Sequence, residues 1–274
     1  MFKIWHTGFR LTGPQGDGPA RALPLPPGPA RFPDILPAIR TLADALVEGA
    51  QADLAAQGRP VSCGPGCAMC CRHLVTLGEA EALRLAGVVR ALPQPRRARV
   101  KERFQAGLAR LEKSGLLPEL LAAFTRAPGD WVRFQRLQRD YWELDLACPF
   151  LEQGACAIYA ERPLVCRQHL MTTPPAACAD PFGPQTYLEK VLLPMDLAGA
   201  AAAFDGLKAT ESRVLPLMLC LFREPILLRR TYLLDDPYAM LLRFFDLVDL
   251  GYSRKIAPSD SDDSGAPAQP PRPQ

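Results

Sequence analysis

"SCGPGCAMCCRH", residues 62–73, places Cys63, Cys67, Cys70 and Cys71 within nine positions. How these thiols are used decides what holds the fold. Disulfides would staple a small loop-rich domain, whereas metal ligation would clamp loops onto a larger scaffold. The chain has nine cysteines in 274 residues, and an odd count fits a disulfide framework poorly. Its opening, "MFKIWHTGFRLTGPQGDG", has no apolar h-region and no small-residue cleavage site. The sequence therefore predicts a cytoplasmic protein, in which thiols stay reduced and clustered thiols read first as metal ligands.

Nearly half of the chain is apolar (48 %) and 22 % is charged, the mixture of an ordinary globular protein long enough to bury a core unaided. The formal charge of +3 is too small to name a partner. The most apolar later stretch, "VLPLMLCLFREPILL", is interrupted by Arg223 and Glu224, so no membrane span is predicted.

Residues 1–33 are rich in Pro and Gly, which argues against both helix and strand there. Residues 34–256 read as a helical domain. Ile35, Ile39, Leu42, Leu46 and Leu54 keep one face apolar, with Asp34 as a cap. Further helices are predicted over 79–91, stopping before Pro93, and over 96–113, ended by Gly115. Others are predicted over 131–144, 187–207, 209–222 and 237–250, the last two as an antiparallel pair. Alternation of period two is scarce. The best strand candidate is "CPFLEQGACAIY", residues 148–159, with Gly154 turning a small hairpin. Residues 257–274, rich in Ser, Asp and Pro, read as a disordered tail. The fold class expected is mainly α, a helical scaffold with Cys-rich metal-binding loops and at most one small β-hairpin.

Eight cysteines fall between residues 63 and 178, in two groups: Cys63, Cys67, Cys70 and Cys71, then Cys148, Cys156, Cys166 and Cys178. Two or three residues between cysteines let a loop curl around one ion, and Gly64, Pro65 and Gly66 suit such a turn. Adjacent cysteines do not readily face one mononuclear ion together. Cys70 and Cys71 thus address two metals, or one of them is spare. Arg72, Arg162 and Arg167 lie near cysteines and could offset thiolate charge. His73 and His169 could replace a thiolate, or could be ordinary hydrogen-bonded side chains. Cys220, alone in "LPLMLCLF", reads as a small buried hydrophobe.

"CGPGCAMCC" (63–71) followed by "CPFLEQGACAIYAERPLVCR" (148–167) resembles the CxxCxxCC family of zinc- or iron-chelating cysteine-cluster proteins. The second string carries more of the likeness: Cys-Pro-Phe-Leu, a Gly-containing turn, Cys, Ile-Tyr, Arg-Pro and Cys-Arg follow in the family's order. The resemblance covers about residues 63–178. It implies metal chelation at Cys63, Cys67, Cys70, Cys71, Cys148, Cys156 and Cys166, with Cys178 in "PPAACAD" the candidate eighth ligand. Zinc is the expected metal, with iron or an iron–sulfur cluster as the alternative. A similar cluster is associated with flagellin lysine methylase, an iron–sulfur protein.

Other chemistry finds less support. Cys63-x3-Cys67-x2-Cys70 has the spacing of the radical-SAM motif, but Met69 stands where an aromatic residue is expected and the chain reads as helical. A thioredoxin-like pair at Cys67 and Cys70 lacks its βαβ context. There is no Walker A loop, G-x-S-x-G or H-E-x-x-H sequence. Residues 90–140 hold twelve Lys/Arg against five Asp/Glu, a face on which nucleic acid or a protein partner could dock, or an ordinary solvated one. Three functions follow: a metal-binding protein of unknown reaction, an iron–sulfur enzyme that modifies a protein, or an interaction module stapled by metal.

Overall fold

The structure is a computed structural model, and it describes residues 2–13, 16–125, 131–183, 186–204, 213–229 and 232–256. The chain opens with strands β1 (Phe2–Trp5), β2 (Gly8–Gly13), β3 (Gly16–Asp17) and β4 (Arg21–Ala22). These form an antiparallel sheet in which β2 pairs with the other three, in the register Phe2↔Leu11, Thr12↔Asp17 and Phe9↔Arg21. The sheet corrects two expectations: an N-terminal segment without strands, and a chain with at most one hairpin. Residues 2–13 contain no proline, so the ladder loses no donor there.

Helix α1 (Phe32–Ala56) follows the predicted apolar stripe, burying Ile35, Leu36, Ile39, Leu42 and Ala43. Asp34 caps it from the third position, its Oδ2 accepting the Arg31 N–H at 2.9 Å, so the cap begins three residues before the predicted start. After the first cysteine loop come β5 (Thr76–Gly78), α2 (Glu79–Ala91) and α3 (Arg96–Lys113). Gly115 ends α3 in the left-handed region at φ 77°. Helix α4 (Leu116–Thr125), which no reading of the sequence anticipated, precedes α5 (Trp131–Glu143).

The predicted hairpin is β6 (Leu151–Glu152) and β7 (Ala155–Cys156), turned by Gln153 and Gly154, both at positive φ. Helix α6 (Leu164–Gln168) carries Cys166. Helix α7 (Leu197–Phe204) begins ten residues after the predicted start at 187, because residues 187–196 are not helical and Lys190 bridges Met171; residues 205–207 lie outside the described set. The predicted helix over 209–222 is instead β8 (Val214–Pro216), a 3-10 turn at Leu217–Leu219 and α8 (Cys220–Leu227), residues 205–212 lying outside the described set. Helix α9 (Pro237–Ile256) closes the described chain. The predicted tail, 257–274, lies outside the described residues.

Helices α8 and α9 are not the antiparallel pair expected. Helix α8 packs on α2, and α9 packs on α7 and α1. Their apolar faces belong to different cores. One core joins α2, α3, α4, α5 and α8 around Leu85, Phe104, Leu120, Leu137 and Phe150. The other gathers the N-terminal sheet, α1, α7 and α9 around Phe9, Ile39, Leu42 and Phe244. A small third cluster contains Val47, Leu170 and Val191. The cysteine segments run where these cores meet: Cys148 and Cys156 pack on the first, Cys63 on the third, and Leu164 beside Cys166 sits in the second.

Candidate metal centre

The first cysteine loop is built by its glycines and by a short 3-10 turn. Gly66, at φ 92°, reverses the chain so that the Cys67 N–H donates to the Gly64 carbonyl at 3.1 Å. Residues Met69–Arg72 then form the 3-10 turn that carries Cys70 and Cys71. Ser62 anchors the start of the loop: its N–H reaches the Met171 carbonyl at 2.8 Å, and its hydroxyl donates to the carbonyls of Met171 and Thr173. In return the Met171 N–H donates to Cys63 Sγ at 3.3 Å.

The second group is brought to the first by the backbone. The Cys148 N–H donates to the Cys71 carbonyl at 2.7 Å, which seats the hairpin against the 3-10 turn. The hairpin then places Cys156 opposite Leu151. The 3-10 segment Pro175–Ala179, carrying Cys178, packs on the turn at Met69–Arg72.

All nine cysteines are free thiols, and Cys220 is fully buried in the first core, as its apolar context predicted. The other eight divide around Cys70. Burial raises the pKa of Cys63 and Cys178, and Cys67 and Cys70 raise both further. Burial likewise pushes up Cys148, to about 12, with Cys156 and Cys70 adding to it. Cys166 is raised well above its ordinary value by burial and then by Cys148, Cys70 and Cys156. Although the residues Cys148 and Cys166 keep some exposed surface, their sulfurs lie deep among protein atoms. Cys70 itself is held protonated by a hydrogen bond with Cys71 and by burial. It is the one thiol felt by both Cys63 and Cys178 on one side and by Cys148, Cys156 and Cys166 on the other.

Among the described residues, no three His, Cys, Asp or Glu side chains stand close enough to hold an ion as they are oriented. The donor set nonetheless fits a thiophilic metal. Its sulfurs are unbridged, converge within electrostatic reach and sit where an uncompensated thiolate is disfavoured. The three arginines near cysteines have different roles. Arg162 stabilises thiolates at Cys70 and Cys156, its guanidinium lying over the Tyr159 ring at 4.1 Å. Arg167, 4 % exposed, binds Asp44 and the carbonyls of Ala160 and Arg162. Arg72 turns away to Asp145 at 2.5 Å.

His73 and His169 face each other with ring centroids 5.9 Å apart, and His73 also packs on Trp142 and Phe182. Burial lowers the pKa of His73, and burial with His73 and Lys190 lowers His169 to about 4, so both rings are neutral at pH 7. Residues 62–182 match the CxxCxxCC family model, described as a "putative zinc- or iron-chelating domain". Residues 62–182 are thus similar to the CxxCxxCC domain. No curated protein and no solved structure matches the chain.

The match supports metal binding, and its ends coincide with structural parts of the centre: Ser62 anchors the first loop, and Phe182 packs against His73. The matched segment is held from outside by residues that no local pattern in the sequence marks. Asp44 and Arg40 of α1 bind Arg167 and Glu161, the latter at 2.6 Å. Within the domain, Glu81 of α2 accepts the Leu164 N–H at 2.9 Å and so caps α6, the helix of Cys166. The available signal was Arg40 and Asp44 within the mostly apolar run 35–47 of α1, but the sequence does not reveal what they meet. Helix α3's basic residues also have an internal role. Arg96 donates to the Ala157 carbonyl at 2.7 Å, Arg103 to that of Pro149 at 3.1 Å and Arg110 to that of Leu144 at 2.7 Å. They brace the hairpin, so this part of the basic stretch is not a free face for an acidic partner. Among the described residues, no helix is long and apolar enough to cross a membrane.

Proposed function

We propose that the protein binds two metal ions, zinc in the first instance, in two thiolate sets that meet at Cys70 and Cys71. Cys63, Cys67 and Cys178 make up one set, and Cys148, Cys156 and Cys166 the other. The adjacent pair supplies one further thiolate to each. The observation that carries this reading is the position of the turn at Met69–Arg72, which takes the Cys148 N–H on the Cys71 carbonyl at 2.7 Å and packs against the Pro175–Ala179 segment of Cys178. Zinc accepts four thiolates tetrahedrally at ~2.3 Å and supplies the positive charge that lets buried thiols ionise. Cys70 and Cys71 must exchange their mutual hydrogen bond for the metal, and Arg162 offsets part of the negative charge that develops.

The ligands come from segments separated by most of the domain, so ligation ties the first loop to the hairpin and to α6. Metal binding and folding of 62–182 are then one event. A reducing cytoplasm is the setting that keeps nine thiols available. The test is elemental analysis and visible spectroscopy of protein purified without oxygen. Colourless protein with stoichiometric zinc is the expected result. Brown protein with stoichiometric iron would replace zinc by an iron–sulfur cluster. Protein that folds with no metal would remove the reading altogether.

A further inference from the structure

A cleft of about 570 Å³ lies beside the Met171–Lys190 bridge, between the second half of α1 and residues 189–195. The volume is that of a small-molecule site. Leu46, Leu54, Val191 and Met195 make an apolar interior. Leu192, on the same segment, is 86 % exposed at the rim.

Four charged side chains line the cleft: Asp53, Arg59, Glu189 and Lys190. Two neutralise each other, since Arg59 pairs with Glu189, which also accepts the Thr172 hydroxyl. The side chains of Asp53 and Lys190 make no ion pair or hydrogen bond among the described residues, although the Lys190 charge reaches His169. The cleft therefore offers one acceptor of positive charge, one donor to negative charge, and an apolar wall. Asp53 is half-buried and Lys190 exposed, so a ligand with a single charge would engage one of the two and a wholly apolar ligand neither.

We propose that this cleft binds a small zwitterion with a bulky apolar side chain, of the class of the apolar amino acids and their dipeptides. The ammonium lies at Asp53, the carboxylate at Lys190, and the side chain between α1 and Val191. Met171 both pairs with Lys190 and donates its N–H to Cys63 Sγ, so one backbone residue connects the cleft's edge to the metal centre.

Isothermal titration with L-phenylalanine and with L-phenylalanyl-L-leucine tests this on the full-length protein. Saturable binding of at least one is expected. For L-phenylalanine the single-charge analogues, 3-phenylpropanoate and 2-phenylethylamine, should each bind about tenfold more weakly or not at all, the loss of one ion pair. Asp53→Asn should weaken the zwitterion about tenfold while leaving 3-phenylpropanoate unchanged. Lys190→Met should do the converse with 2-phenylethylamine as the unchanged probe. The analogue series on the parent protein needs no variant to fold. Absence of binding by both zwitterions, or a single-charge analogue that binds as tightly as L-phenylalanine, overturns the proposal.

Discussion

The Cys148 N–H donates to the Cys71 carbonyl across 2.7 Å, so the two cysteine groups are joined by backbone before any metal is considered. This bond sets the hairpin beside the 3-10 turn that carries Cys70 and Cys71. A metal would then draw together side chains from segments that this bond holds side by side.

The cysteines should consequently differ in their contribution. Cys67→Ser and Cys166→Ser are expected to lower metal content and to destabilise the fold. Cys220→Ser should leave metal content intact, since Cys220 is a packed thiol in the first core. Elemental analysis of the three variants checks this, and equal loss in all three would undo the division of the thiols.

Glu81 gives a pH dependence whose sign follows from its burial. Burial raises its pKa from 4.5 to about 7. The folded state thus holds this proton more tightly than the unfolded state does. The stabilisation is fully present below pH 4.5 and is lost as pH rises to about 7. Glu81→Gln keeps an acceptor for the Leu164 N–H and removes the buried charge. In urea unfolding, the variant should match the parent near pH 4.5 and gain on it as pH rises to 7. Glu81→Ala, which leaves the N–H at the start of α6 without its acceptor, should be less stable than the Gln variant at every pH.

Asp44→Ala should cost about 1–3 kcal/mol of stability. The figure is less than for a fully buried pair, because the Asp44 side chain is 45 % exposed while that of Arg167 is 4 % exposed. Denaturant unfolding measures the cost. Metal content measured on the same variant should also fall, because Arg167 fixes the carbonyls just before Cys166.

Two glycines predict opposite signs for the same substitution. A Cβ at Gly107 of α3 would meet Met218 Sδ at 2.4 Å, so Gly107→Ala should destabilise by about 1–3 kcal/mol. A Cβ at Gly49 of α1 meets nothing within 4 Å, so Gly49→Ala should stabilise by up to about 1 kcal/mol through helix propensity. Paired thermal melts distinguish the two.

Some of this architecture was legible in the sequence. Helices α2 and α3 begin and end at the predicted residues because stop signals, Pro93 and Gly115, adjoin them. The hairpin at 151–156 was readable because Gly154 supplies the positive φ that its turn requires. The N-terminal strands were hidden because the prolines that crowd residues 14–33 leave 2–13 untouched. The run "VLPLMLCLF" looked helical because burial of residues 215–220 in succession erases periodicity, and the chain uses it as strand, turn and helix in succession. Seven of the candidate ligands followed from spacing and resemblance. The clamp of Asp44 on Arg167 was not legible, since local pattern carries no information about which distant segment a charged side chain meets.

The central claim is that the thiols form two sets joined at Cys70 and Cys71, and the metal stoichiometry of Cys178→Ser tests it most directly. Native mass spectrometry of protein purified without oxygen should give about two metal ions per parent chain and about one per variant chain. Cys178 belongs to only one set, so the Cys148, Cys156 and Cys166 set should keep its ion. Loss of all metal from the variant, as for a single shared cluster, or retention of the full parent complement, would contradict the account.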